Sequence, residues 1–279
     1  MTDERWVRRL LPKRPADSHK GTYGRAHLFC GSERYPGAAL LSAEAAFRVG
    51  CGMTYLTAPA PLRDMVLSRL PEVIFCPDTV GNDAPQNITA RLCGCGCGNT
   101  VGTKARVLSL LALSDAPLVL DADALNALAA DGKGAEHLRS AAAPLILTPH
   151  PAEFSRLFGV SVEQVQADRP RAALNAAANS GAVVLLKGHE TLIASPSGEL
   201  LCNPTGSSAL AKAGSGDVLA GVICGLLAEG VPPFEAAAMG AWLHGRAGDL
   251  LAHDLSEYGV LPSELPRAVA RVLADLSKS

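Results

Sequence analysis

The sequence lacks both of the common glycine-rich nucleotide fingerprints, G-x-x-x-x-G-K-[ST] and G-x-G-x-x-G, which removes the P-loop and dinucleotide-fingerprint folds. It has no apolar run near the roughly 20 residues of a membrane helix. Its opening, MTDERWVRRLLPKRP, is too charged and too short in apolar run for a signal peptide, so a cytoplasmic protein with no membrane partner is expected. Charge excess is missing too. The 25 basic residues nearly balance 27 acidic ones, and charged residues make up only 19%, which leaves no electrostatic footprint for nucleic acid. Small molecules or copies of the chain are the expected partners. Among the eight cysteines there is no C-x₂-C pair, so the run Cys93, Cys95, Cys97 in CGCGCG does not read as a zinc loop. Its role stays open. The others, such as Cys30, Cys51, Cys76, Cys202 and Cys224, sit in apolar or glycine-rich segments of a chain with ample core, and are expected to be reduced, mostly buried thiols.

No linker, repeat or low-complexity tract divides the chain, so residues 1–279 are expected to form one domain. Short β-branched or Leu-rich runs alternate with longer Ala-rich segments, the pattern of βαβ units. Strands are expected at Ala26–Cys30, Thr54–Ala58, Val73–Cys76, Ala90–Gly94, Pro117–Asp121, Leu145–Thr148, Ala182–Lys187 and Leu192–Ser195. Helices are expected at Ala38–Val49, Thr103–Leu113, Ala124–Ala130, Pro151–Phe158, Val162–Ser180, Gly216–Ala228, Pro233–Ala252 and Glu264–Leu276. This makes an α/β fold, a three-layer α/β/α sandwich around a mostly parallel central sheet. Ligands of such sheets bind beyond the carboxyl ends of the strands, where GSERYPGAA, CGCGN, DADALN, TPHPAE and KGHET all fall.

The strongest chemical signal is NPTGSSALAKAGSGDVLAG, Asn203 to Gly221. Gly214, Ser215 and Gly216 let backbone approach a ligand, and the helix that follows offers free N–H groups and a positive dipole end, an anion hole. Asp217 in that hole either caps the helix or takes a proton from a hydroxyl during phosphoryl transfer. Lys187 and Gly188 of KGHET either meet phosphate or adenosine or form a plain strand end and turn. His150 is held between two prolines just past a strand and is expected to touch substrate. Glu153 caps the next helix or helps hold Mg²⁺ through water. Asp121 and Asp123, with Asn126, orient a metal-phosphate group or a hydroxyl, or Asp123 serves as an N-cap. Gly96 and Gly98 allow a ligand to lie on backbone, and the small residues Gly37, Ala38 and Ala39 either seat a planar ligand or pack a helix.

Taken in order, KGTYGR, GS…PGAALL, LDADALN, LTPHPAE, LLKGHET and NPTG…ALAK.GSGDVLAG resemble the ADP/ATP-dependent NAD(P)H-hydrate dehydratases of the ribokinase-like superfamily, over Lys20 to about His244. The resemblance implies nucleotide-dependent dehydration of the S epimer of hydrated NADH or NADPH. The ring hydroxyl is phosphorylated and phosphate is then eliminated. It also implies Mg²⁺ carried on phosphates, ADP or ATP as co-substrate, a homotetramer, and a separate epimerase, since this chain has no room for an epimerase domain. Carried over by motif, Asp217 is the base and contacts the hydrated ring. Ala38, Ala39, Gly98 and His150 line the hydrated dinucleotide, while Lys187, Gly188, His189, Glu190, Thr191 and Gly216 bind the nucleotide. Ala152, Ser208, Ala213, Ser215 and the CGCGN loop depart from the family's usual residues, each small for small. Two alternatives remain: a thiazole- or hydroxymethylpyrimidine-type small-molecule kinase, and an adenylate sensor without turnover.

Overall fold

A computed structural model describes residues 1–77 and 85–278. Among these described residues nine strands form one sheet: β1 Arg25–Phe29, β2 Met53–Ala58, β3 Ile74–Pro77, β4 Ala90–Cys93, β5 Leu118–Leu120, β6 Leu145–Leu147, β7 Val183–Leu186, β8 Thr191–Ala194 and β9 Leu200–Asn203. Their spatial order is β3-β2-β1-β4-β5-β6-β7-β8-β9. Pairing is parallel from β3 through β7 and antiparallel for β7–β8 and β8–β9. Strands β4, β5, β6 and β7 are buried along their whole length, as a sheet covered on both faces requires.

The helices are α1 Glu4–Leu10, α2 Pro36–Arg48, α3 Arg63–Arg69, α4 Val101–Leu111, α5 Asp123–Ala129, α6 Gly134–Arg139, α7 Pro151–Phe158, α8 Val162–Ala167, α9 Arg169–Ser180, α10 Ser215–Ala228, α11 Pro233–Gly259 and α12 Leu265–Ser277. One apolar cluster joins the sheet to α2, α10, α11 and α12, and a second joins it to α4, α5, α7 and α9. These two clusters are the two cores of a three-layer sandwich.

Helix α10 is apolar all round, and every residue from Val218 to Ala228 is buried. Its glycines bring α2 into close contact. A methyl on Gly221 would fall 2.2 Å from the Ser42 carbonyl oxygen, and one on Gly225 would fall 2.7 Å from that of Ala46. Backbone-to-backbone packing of this kind fixes the N-terminus of α10 at the carboxyl edge of the sheet.

Four details differ from the sequence expectations. The helix expected over Val162–Ser180 is two helices, because Asp168 leaves helical geometry (φ −151°, ψ 76°) ahead of Arg169-Pro170 and its carboxylate caps α9 through the Arg171 N–H. A ninth strand, β9, pairs with β8. Helices α1, α3 and α6 were not expected. The helix from Pro233 continues past Ala252 to Gly259, with a break at Ser256 (φ 63°).

Candidate active site

The carboxyl ends of β5, β6 and β7, the β7–β8 turn and the start of α10 surround a cavity of about 980 Å³. Asp121, Ala122, His150, residues 187–191 and residues 213–217 all line it. The sequence-predicted nucleotide residues Lys187, Gly188, His189, Glu190, Thr191 and Gly216 therefore share one wall system with Asp217.

At α10 the cap is Gly214, whose φ of 100° suits glycine and which meets Leu41 and Pro262 closely. Asp217 is thus three residues past the cap in the first turn, and the N-cap alternative for it is corrected. Burial raises its carboxyl to about 6, aided by the neighbouring Asp121 charge, while the Cys95 thiol and Lys187 pull the other way. Ser215 is buried, with its Oγ 3.1 Å from Nε2 of His244. Burial lowers His244 to about 4, so it faces Ser215 as neutral imidazole.

Lys187 ends β7 and reaches across the sheet edge to Asp121, Nζ to Oδ1 2.7 Å. Glu153 lies 3.8 Å from the same ammonium. Burial works to lower Lys187, but these two carboxylates outweigh it and hold the group above its ordinary value. A methyl on Gly216 would come 3.5 Å from this Nζ and 3.7 Å from Asp121 Oδ2, so the cation borders the anion hole directly. Lys187 is therefore a paired, cavity-lining cation rather than a solvated strand end.

His150 caps α7: its Nδ1 accepts the N–H groups of Ala152 and Glu153, and Glu153 Oε2 accepts the His150 N–H at 2.9 Å. With Nδ1 occupied as acceptor, the ring proton sits on Nε2. Burial, with Lys187 second, holds His150 below its usual value. Glu153 is the capping carboxylate of the two alternatives, and burial raises it. Asp123 is not an N-cap. It opens α5, and its Oδ2 accepts the Gly98 N–H at 2.7 Å, while Ala122 before it is held at φ 51° in the left-handed region. Asn126 accepts a hydrogen bond from Arg156.

Ala38, Ala39 and Gly98 do not line the large cavity. Ala38 and Ala39 are buried at the start of α2, where the Gly96 turn closes on Ala38 and the Gly31 turn on Ala39. A methyl on Gly98 (φ 78°) would meet only the Thr100 methyl, at 3.6 Å, while its N–H and carbonyl are held by Asp123 and Thr103. Among the described residues no three His, Cys, Asp or Glu side chains converge on a metal-sized gap. Asp121 and Glu153 are already engaged, so the donor set fits a cation carried by ligand phosphates, not a protein cage.

Sequence reasoning missed Arg169. Its guanidinium donates to the carbonyls of His189 (2.5 Å), Leu186 (3.2 Å) and Lys187 (3.4 Å), gathering the inner face of the β7–β8 turn. A methyl on Gly188 would strike it at 2.8 Å. The cavity residues Asn203, Thr205 and His244 were missed as well, although Asn203 and Thr205 stand in the quoted NPTG motif.

These elements, in this order around a ribokinase-like sheet, match a known family. The family model described as NAD(P)H-hydrate dehydratase matches residues 26–271. The chain belongs to the NAD(P)H-hydrate dehydratase family. It is 45% identical to an ADP-dependent (S)-NAD(P)H-hydrate dehydratase from Neisseria meningitidis, over 97% of this chain and 92% of that one. It is 38% identical to a bifunctional NAD(P)H-hydrate repair enzyme from Moorella thermoacetica, covering 98% of this chain and 53% of the relative, so it spans about half of that protein. The crystal structure of a Bacillus subtilis ADP/ATP-dependent NAD(P)H-hydrate dehydratase, co-crystallised with ATP/Mg²⁺, superposes with a TM-score of 0.88 at 36% identity. That match covers 98% of this chain and 97% of the other.

Proposed function

We propose that this chain repairs hydrated reduced nicotinamide cofactors, using the phosphoryl group of ADP or ATP to remove water from the S epimer of NADH or NADPH hydrate. The observation that carries the reading is the geometry at α10: Gly214 takes the cap, which leaves Asp217 beside Lys187 in the anion hole as a carboxylate free for proton transfer. With its carboxyl raised to about 6, Asp217 is mostly ionised at neutral pH while remaining a competent proton acceptor.

Water leaves a carbon poorly and phosphate leaves well. Deprotonating the ring hydroxyl as it accepts a phosphoryl group makes an ester; the ring nitrogen lone pair then expels phosphate, and loss of a proton from the adjoining ring carbon restores the double bond of the reduced ring. Asp217 takes the hydroxyl proton. The N–H groups at the start of α10 and the Lys187 ammonium hold the transferring phosphoryl. The Arg169-gathered turn, 187–190, holds the nucleotide, and His150 offers its Nε2–H to the hydrated dinucleotide. Mg²⁺ would travel on the nucleotide phosphates and offset their charge, with Asp121 and Glu153 the carboxylates close by. Gly98, Ala38 and Ala39 belong to the hydrated-dinucleotide side by motif. The same resemblance supports a cytoplasmic homotetramer, checked by light scattering, supplied with the S epimer by a separate epimerase.

The test is optical. Hydrated NADH is incubated with the protein, Mg²⁺ and either nucleotide, and the absorbance of reduced nicotinamide is followed. Recovery of reduced cofactor with release of phosphate is the expected result. A phosphorylated product with no recovery would instead mark a small-molecule kinase, and no turnover at all a nucleotide sensor.

A further inference from the structure

Four of the eight cysteines meet at the carboxyl ends of β1 and β4, and of these Cys95 alone touches the proton-transfer site, through its hydrogen bond with Asp217. The Cys95 thiol hydrogen-bonds with Cys30, and both are sealed in the core, with exposures of 0% and 1%. The Cys93 thiol hydrogen-bonds with Cys97, and this second pair differs in access. Cys93 and Cys97 line a separate cavity of about 190 Å³, bounded also by Ser32, Thr57, Thr100 and Arg106, and Cys97 is partly exposed. Gly94, Gly96 and Gly98 have φ of 124°, 65° and 78°, so the chain after β4 doubles back and brings Cys97 to the same cavity that Cys93 lines.

We propose that Cys93 and Cys97 are a peroxide-reactive thiol pair that closes to a disulfide at the rim of the active site. Cys97 is the attacking sulfur. The hydrogen bond from Cys93 holds it below the ordinary thiol range against the cost of burial, and the Gly94 N–H and the Arg106 charge act in the same sense. The same hydrogen bond, joined by burial, raises Cys93, which suits a resolving thiol. In the first step the Cys97 thiolate attacks hydrogen peroxide, the O–O bond breaks, and a sulfenic acid forms with loss of hydroxide. In the second the Cys93 sulfur gives its proton to that hydroxide and attacks the Cys97 sulfur, expelling the second hydroxide, which takes up the proton released when Cys97 ionised. In sum, two thiols and one peroxide become one disulfide and two waters. Closure must move the turn that presents the Gly98 N–H to Asp123 at 2.7 Å, and must break the hydrogen bond from Cys97 Sγ to the Phe29 carbonyl, 3.1 Å. The effect on dehydration rests on the functional reading above; the chemistry of the pair does not.

The test treats the full chain with stoichiometric hydrogen peroxide, blocks remaining thiols and weighs the tryptic peptide running from Leu92 to Lys104. The expected product is that peptide lighter by two hydrogens, restored by dithiothreitol, still formed by Cys95→Ala and absent in Cys97→Ser. As Cys97→Ser could perturb the turn, a neutral alkylating reagent on the untreated chain gives a second measure, with Cys97 expected to react before the other three cysteines of this cluster. Dehydratase activity of the natural chain should fall several-fold on oxidation and return on reduction, whereas Cys97→Ser should keep its own starting rate. The proposal is overturned by a bridge that survives Cys97→Ser, by a Cys30–Cys95 bridge, by oxygen addition without bridging, or by Cys97 being the slowest to alkylate. Bridging without any change in an active enzyme would remove the rim effect, and absence of dehydration in the untreated chain would count against the functional reading alone.

Discussion

The two halves of the sheet's carboxyl edge are built on opposite plans. On the β5–β9 side, strand ends and turns stand apart around some 980 Å³, lined by the half-buried Lys187 ammonium, the Asp121 and Asp217 carboxylates and the start of a helix. On the β1–β4 side the space is about 190 Å³, and small residues let chain segments close on one another. Two non-glycine residues of the wide half, Ala122 and Glu190, are held at positive φ, while in the narrow half only glycines carry the left-handed turns after β1 and β4. The wide half accepts backbone strain to aim groups at a ligand, and the narrow half uses glycine to bring chain onto chain.

The comparison is broken most completely by Asp217→Asn. Catalysis should fall about 100-fold or more while nucleotide binding, measured by calorimetry, stays within a few-fold, because the base is lost and the anion hole is left. The natural enzyme carries the matching pH signature. Asp217 works ionised, so kcat/KM should rise with pH through about 6 and level above it, and that limb should vanish in the variant. A smaller effect is expected from Gly216→Ala. The new methyl would sit 3.5 Å from Lys187 Nζ, ordinary contact for the fold but inside the anion hole, so nucleotide KM should rise about tenfold with Tm nearly unchanged. An unchanged nucleotide KM would separate Gly216 from the nucleotide. The smallest is Gly98→Ala. It strains a residue at φ 78° by roughly 1 kcal/mol and should raise KM for the hydrated cofactor a few-fold without touching that for nucleotide, which would sharpen the division between the halves.

Much of the wide half was legible in the sequence because strand-end loops carry their chemistry in short motifs, whereas its separation from the narrow half was not. KGHET and GSGD each travel with the element that positions them, so their meeting at one cavity followed from placing β7 and α10. The rest depended on distance in space. Nothing in the Asp168-Arg169-Pro170 segment announces that a guanidinium will collect carbonyls some 17 to 20 residues further on. Whether Asp217 caps the helix turns on which glycine enters the left-handed region, and the GSGD letters alone leave Gly214 and Gly216 equivalent. Strand β9 was missed because Leu200–Asn203 is a half-exposed edge that lacks the apolar run of the buried strands. The alanines at 38 and 39 could serve a ligand or a neighbouring helix from composition alone, and the approach of the Gly31 and Gly96 turns to them is visible only in space.

The three carbonyls held by Arg169 have a thermodynamic consequence. A turn anchored at its centre from within the protein has little conformational freedom left to lose when a ligand arrives. Association of the adenine nucleotide should therefore be a single fast step without an ordering phase, its heat-capacity change accounted for by the contact surface alone. Loosening that anchor would turn a ready-made cradle into one that each incoming molecule has to shape for itself.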